Sequence, residues 1–430
     1  MSPYIIELND SEVRVAAAGR IIVRSPGCAV VRGERVCFGH EALKLAHLHP
    51  RETYNRFWAH LSQDALHTPT RRFRHHADLA YAHLLALYEE AGKPDEVIFA
   101  VPGSFSNEQL SLLLGIAQAC PFKAVGLVDS AVASAAAVAG RGRYAHVAIY
   151  LHHSVVTRLD VDDQVQRAGV ESGDSSGLSA LHEAAAELMA DTFIQQSRFD
   201  PFHHAETEQA LYDQLPSCLQ ALNDSPEVPL AIDFRHGRYS ANLARDVLRH
   251  RLERYYAIVI QRIPADRTPL LTGAVASLPG FTESMPGAWV LEPEAMFRTI
   301  EEHAELIRSP GPDLSFVTRL PATPNATISA PTGDTERRAH VLLGHEAFPL
   351  EHAPLYLSAG GGVSHKRQHS SSCSIMANSR EPVITALSDI NIYVNGERLV
   401  GSTHIKAGDK ISFAGSDTVY ALISVVAPHG

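Results

Sequence analysis

Histidine is the side chain in this sequence best suited to chemistry, with 24 in 430 residues. It can ligate a metal or carry a proton near neutral pH. Three adjacent pairs stand out: His75-His76, His152-His153 and His203-His204. None has a third ligand at a readable spacing, and most of the histidines sit beside polar or charged neighbours. We expect solvated surface positions and no metal. The five cysteines (Cys28, Cys37, Cys120, Cys218, Cys373) are widely spaced and form no Cys-x-x-Cys pair. That pattern predicts a reducing, cytoplasmic setting without a disulfide framework.

The elements that must position any site follow from periodicity. The stretch IIELNDSEVRVAAAGRIIVRSPGCAVVRGERVCFG alternates β-branched runs with turn residues and predicts antiparallel strands. A helix is expected over 71–90, ended by Gly92. Val97–Val101 reads as a fully apolar strand, Ser106 as the cap of a following helix, Val125–Val128 as a second strand, and Ser130–Val138 as an Ala-rich helix. Strand, helix, strand, helix implies a parallel, doubly wound sheet. Val147–Tyr150 and Val155–Val161 predict a hairpin opening a second αβ unit. Helices are expected over His182–Gln196 and Ala241–Ile263, and Pro269–Gly273 as a strand running into a glycine turn.

Composition shifts between Leu320 and Arg338, where Pro, Thr and Ala dominate, so residues 321–338 read as a linker. Beyond it come short strands and turns, predicting an all-β domain over 339–430. The first domain is then 1–320. The formal net charge of −11 (37 basic and 48 acidic side chains) argues against nucleic acid as the main partner. We see no uncharged apolar run long enough for a membrane span, and the N-terminus lacks the pattern of a secretory leader.

Three segments in order, VIFAVPGSFSNEQ, the strand ending at Val128, and VDSAVASAAA, resemble the actin, Hsp70 and MreB superfamily of ATPases. GRIIVRSPGCAVVRGERVCFGHEALKLAHLHP and, later, PLLTGAVASLPGF resemble its early strand-rich segment and its adenosine-binding segment. The resemblance spans residues 1–320 and implies two phosphate-gripping hairpins. In each, small residues let backbone amides reach phosphate and an acid positions a metal. At the first hairpin this chain has Glu7-Leu8-Asn9-Asp10-Ser11: the acid is Glu7, the glycine is Asn9, and a new carboxylate, Asp10, stands where phosphate would lie. At the second it has Tyr150 in place of the acid and His152-His153 in place of glycines. The connecting segment has Asp129-Ser130 where the family has Asn-Glu. The adenosine segment has Gly273-Ala274 where the family has a glycine pair. Any retained nucleotide contacts would fall to Glu7, Asp10, Ser11, Asp129 and Gly273. Losing the acid and the phosphate amides together removes positioning and electrostatic stabilisation.

The C-terminal segment VNGERL…IKAGDKI resembles a forkhead-associated (FHA) domain, a phosphothreonine reader. Its partner surface would be His345, Lys366, Arg367, Ser370, Asn391 and Asn395. His345 takes the place of the family's phosphate-reading Arg, and His369, Ser370 and Ser372 stand where the family has Ser, Arg and His. The resemblance therefore implies a non-catalytic scaffold: a pseudo-ATPase without a cofactor, docking a protein partner through the FHA-like module, with a related actin-like ATPase among the candidates. The alternative is a divergent ATPase, using ATP with magnesium, that forms filaments or acts as a chaperone. A kinase on the same fold has no substrate signature here.

Overall fold

A computed structural model describes residues 3–174, 176–309, 314–322, 337–344, 346–350, 354–364, 366–368, 370–376, 382–387, 390–399, 401–406, 408–416 and 418–426. The predicted linker falls largely outside them, as do His345 and His369. The chain is mixed α/β and divides into two compact units, Met1–Pro331 and Thr332–Gly430. No described helix is long and apolar enough to cross a membrane.

The first unit holds two six-stranded sheets of matching plan. In the first, β1 (Tyr4–Glu7) is central. On one side lie β2 (Val13–Ala17) and β3 (Arg20–Ser25), antiparallel. On the other lie β7 (Glu96–Val101), β8 (Lys123–Asp129) and β16 (Phe316–Val317), all parallel. In the second sheet, β9 (Gly142–Ile149) is central, with antiparallel β10 (His153–Val161) and β11 (Gln164–Asp174) on one side. Parallel β14 (Thr268–Leu271) and β15 (Trp289–Val290) lie on the other, and β17 (Arg319–Pro321) closes the β11 edge. No sequence repeat announces this duplication. It resides in strand order, which side chains need not copy.

Parallel neighbours need crossovers. α2 (His76–Glu90) precedes β7, and α3 (Asn107–Gln118) joins β7 to β8. Ser106 caps α3 as expected: its hydroxyl accepts the Gln109 N–H while the Gln109 side chain accepts the Ser106 N–H. α4 (Ser130–Ala136) is buried along its whole length, which its small side chains permit. In the second lobe, α5 (Leu178–Ser197), α6 (Ala205–Asp224), the hairpin β12 (Glu227–Phe234) with β13 (Gly237–Ala244), and α7 (Arg245–Ile260) separate β9 from β14. Three expectations need correction. The predicted helix over Ala241–Ile263 is β13 for its first four residues, because Ala241 and Leu243 alternate into the core and pair with β12. α6 has no counterpart in the sequence reading. The opening strands are not purely antiparallel, since β1 also pairs in parallel with β7.

Smaller pieces complete the unit. β4 (Ala29–Arg32), β5 (Arg35–Phe38) and β6 (Thr53–Tyr54) form a three-stranded sheet beside α1 (Gly39–Leu43). α8 (Gly273–Ala276) follows β14, and α9 (Ala295–Glu302) and α10 (Ala304–Ile307) follow β15. Each lobe has its own core, built around Phe57, Trp58 and Phe99 in the first and Phe193, Leu211 and Leu252 in the second. A third core, including Ile98, Val132, Leu270 and Phe297, joins the two.

The second unit is a β-sandwich. One sheet runs β19 (Glu346–Pro349), β18 (Arg337–Leu343), β28 (Val419–Val426), β27 (Lys410–Phe413), β24 (Ile392–Val394), β25 (Glu397–Arg398). The other runs β21 (Val363–Ser364), β20 (Leu355–Leu357), β22 (Cys373–Met376), β23 (Val383–Ala386), β26 (Ser402–His404). Their inner faces share one apolar core, with Val341, Ile411 and Tyr420 meeting Leu357, Cys373 and Ile384.

Candidate functional site

A cleft of about 910 Å³ opens between the two lobes of the first unit. The segments that line it include Glu7, Asn9 and Ser11 from the β1–β2 turn, Ser130 and Ser134 from α4, Tyr150 from the β9–β10 turn, and Thr272, Gly273 and Ala274 after β14. Leu178, Leu219, Leu278 and Leu291 make an apolar wall. The volume is that of a small-molecule site, but polar and charged side chains, Glu7, Glu12, Arg14, Arg24 and Glu292 among them, make up more than half of the lining.

Each predicted nucleotide contact has a definite place. Glu7 ends β1 and pairs with Arg14 at 2.5 Å. Ser11 is tied into its own turn, its amide and hydroxyl both donating to Asn9 Oδ1 at 3.0 and 2.7 Å. Gly273 lines the cleft, and an added Cβ would find only ordinary contacts, the nearest 3.6 Å away on Pro293. Its missing side chain is therefore not demanded by packing. Asp129 is absent from the cleft wall. It is fully buried, accepts the Ala131 and Val132 amides that open α4, and receives Arg167 at 2.8 Å.

Asp10 is the residue that joins the two turns. Its Oδ1 accepts the Leu151 N–H at 2.7 Å, and the Ser11 and His152 amides also favour its charged form. Burial outweighs them and raises its pKa from 3.8 to about 6. Tyr150, at the position where an acid was sought, is buried and stacks on His153 at 4.9 Å. Burial and then the neighbouring Glu7 push its hydroxyl above the ordinary tyrosine range, so it is a neutral phenol. His152 gives its Nε2 to the Asn55 carbonyl at 2.9 Å. The α5 N-terminus closes on the same turn, with Leu178 and Ser179 donating to the Tyr150 and Leu151 carbonyls. Gly177 makes this approach possible: a Cβ there would lie 2.4 Å from the His152 carbonyl carbon.

Sequence reasoning missed Arg14 and Arg167, whose partners lie far along the chain or across a hairpin. It also missed His146 and His182, both on the cleft wall and both pushed down to about 4 by burial. His146 is 3% exposed and its Nε2 has no hydrogen-bond partner. Neither histidine carries a sequence signal beyond its type.

In the second unit, the register places the end of β18, the end of β27 and the start of β24 together. The turn at Gly344, Asn391 and the 358–362 loop gather at this end, where Ser416 Oγ donates to the Ala359 carbonyl at 2.5 Å. Ser372 N donates to Leu357 O and Leu387 N to Ser372 O, which brings in the loop carrying exposed Ser370, Lys366 and Arg367. Asn395 sits at the opposite end, so it does not share a surface with the others. Its left-handed backbone (φ +51°) turns β24 into β25. Its side chain donates to Asp409 Oδ1 at 2.8 Å and accepts the Lys410 N–H at 2.9 Å. Asp409 Oδ2 takes the Lys406 amide at 2.8 Å. Both groups serve the fold. Asp409→Ala should therefore cost about 1–2 kcal/mol, by removing the hydrogen bonds that the buried carboxylate takes from the Lys406 amide and the Asn395 side chain. Calorimetry of the intact chain would show this as an earlier transition of the second unit, and an unmoved transition would refute the structural role.

No protein-family model matches the chain, and no curated protein matches it.

Proposed function

We propose that the protein is a non-catalytic scaffold. In this reading the first unit is an actin- and Hsp70-like fold that has given up ATP hydrolysis, and the second is an FHA-like module that docks a protein partner. The duplicated strand order supports the first assignment, and the two-sheet sandwich supports the second. One observation carries the loss of function: the Asp10 carboxylate rests on the Leu151 amide, between the two turns that would grip phosphate. A polyphosphate there would meet a buried negative charge instead of free N–H donors, and the two arginines that line the cleft, Arg14 and Arg24, are already paired with Glu7 and Glu12. Glu7 is already neutralised by Arg14, and no second acid faces it from the Tyr150 turn. The partner would meet the loop end bearing Lys366, Arg367, Ser370 and Asn391, without needing phosphate, and a related actin-like ATPase is one candidate.

Isothermal titration of ATP with magnesium into the full chain, with ADP as control, tests the reading. We expect no heat of binding. Micromolar affinity would favour the alternative of a divergent filament-forming or chaperone ATPase, whose one supporting observation is the size of the cleft.

A further inference from the structure

The lobes of the first unit meet on two sides of the cleft. One side is the shared apolar core around Val132 and Phe297. The other is polar and is made by the first turns of α6 against the end of α1 and the chain just after it. Gln209 Nε2 donates to the Leu43 carbonyl at 2.9 Å, and its Oε1 accepts the His47 N–H at 2.9 Å. One side-chain amide thus satisfies a backbone acceptor and a backbone donor on the opposite lobe. Gln209 is 5% exposed and is itself steadied by Asp213 at 2.8 Å. Beside it, His47 Nδ1 lies 2.8 Å from Glu208 Oε1, and the His47 ring stacks on Tyr212 with centroids 3.8 Å apart. Two turns further along, the same helix presents Pro216, Leu219 and Gln220 to the cleft. Nearer the cleft floor, His152 Nε2 meets the Asn55 carbonyl and Asp10 meets the Leu151 amide, both again from lobe to lobe.

We infer that α6 acts as a strap: Glu208, Gln209 and Tyr212 grip Leu43 and His47, hold the lobes together, and govern entry to the cleft. The contacts join residues 161 to 166 positions apart, so they exist only when the lobes are together. They are specific in direction, since the amide of Gln209 must present both its ends. A strap of this kind turns closure, which a ligand would otherwise have to drive by differential affinity, into a property of the chain. It goes beyond the scaffold reading and does not depend on it, because it concerns how the two lobes are joined and not what the second unit docks.

Hydrogen exchange by mass spectrometry on the full-length chain tests it, comparing wild type with Gln209→Ala and with Glu208→Ala. The second variant sits at the solvent-facing rim and guards against simple unfolding by the first. The strap predicts exchange about tenfold faster in the cleft-lining segments 176–182 and 272–278, the factor that one net hydrogen bond is worth, while the shared core and the second unit keep their wild-type rates. Unchanged cleft exchange in both variants would overturn the inference, and so would an equal rise throughout the first unit. Adding ATP with magnesium to the wild type separates the two readings. Slower cleft exchange on addition would sink the nucleotide-free function and leave the strap to be judged by the ligand-free variants.

Discussion

Arg167→Ala should lower the stability of the first unit by about 3–5 kcal/mol, the largest single-site effect we expect outside the apolar cores. Asp129 is wholly buried, and burial drives its carboxyl pKa upward while the Arg167 guanidinium, 2.8 Å away, pulls it back. Removing the guanidinium leaves a buried carboxylate with only the Ala131 and Val132 amides to offset its desolvation. Gly103 shows how closely the pair is fitted, since a Cβ there would stand 2.7 Å from Asp129 Oδ2. Arg167 also covers the Phe316 ring at 5.1 Å, so some of the loss is packing. Asp129→Asn in the Arg167→Ala background should restore part of the stability by removing the stranded charge. The sign with pH follows from the raised pKa: the ionised carboxylate is what the fold disfavours, so the deficit should shrink as acid protonates it. Urea denaturation of the wild type and the two variants is the measurement. A loss below about 1 kcal/mol for Arg167→Ala would mean that the pair behaves as a surface ion pair and that Asp129 has another role.

Asp10→Asn should change the pH dependence of stability more than any other conservative substitution. The folded-state pKa is raised from 3.8 to about 6. A carboxyl raised in this way contributes its full share below the unfolded pKa and loses it as pH rises through the folded one. The difference between wild type and the Asn variant should therefore be constant below about pH 4, and wild type should lose stability relative to the variant between pH 4 and 6. That loss should level off at about 3 kcal/mol, the equivalent of a rise of about two pH units. The Asn side chain can keep the Leu151 bond through its oxygen. Its amide nitrogen would take the place of Oδ2, which has no partner, and this lowers both ends of the curve alike. His152, with a pKa near 4, titrates in both proteins and cancels in the difference. Denaturation midpoints taken across pH 3.5 to 7.5 would give the curve, and parallel profiles would show that Asp10 is solvated and holds nothing together.

Much of the local structure was legible because it depends on neighbours in sequence. The apolar run Val97–Val101 could only be a buried strand, Ser106 could only begin a helix well, and Asn9, Gly33 and Gly396 mark turns. The second unit showed as a series of short strands and turns, and the structure gathers their apolar residues into one core. α6 escaped because its buried positions, Leu211, Leu215 and Leu222, are diluted by a Pro and many polar residues, and because its apolar face is defined by what packs on it. Ala241–Ala244 read as helix for the converse reason: their strand state is set by pairing with β12, a non-local contact that propensity does not sense.

The sequence by itself determined the α/β class of the first unit, the β character of the second, and the chemical inventory of the cleft: a glutamate, an aspartate, a tyrosine and histidines at the two hairpin turns. Only the tertiary structure decided what those groups do. It turned Asp129 away from the cleft and onto Arg167, set Asp10 on the Leu151 amide, and moved Asn395 to the far end of its sandwich, paired with Asp409. The reason is physical. A side chain's type fixes which charges and hydrogen bonds it can offer, whereas its partner, and through burial its pKa, depend on groups brought beside it by chain segments tens to hundreds of residues away.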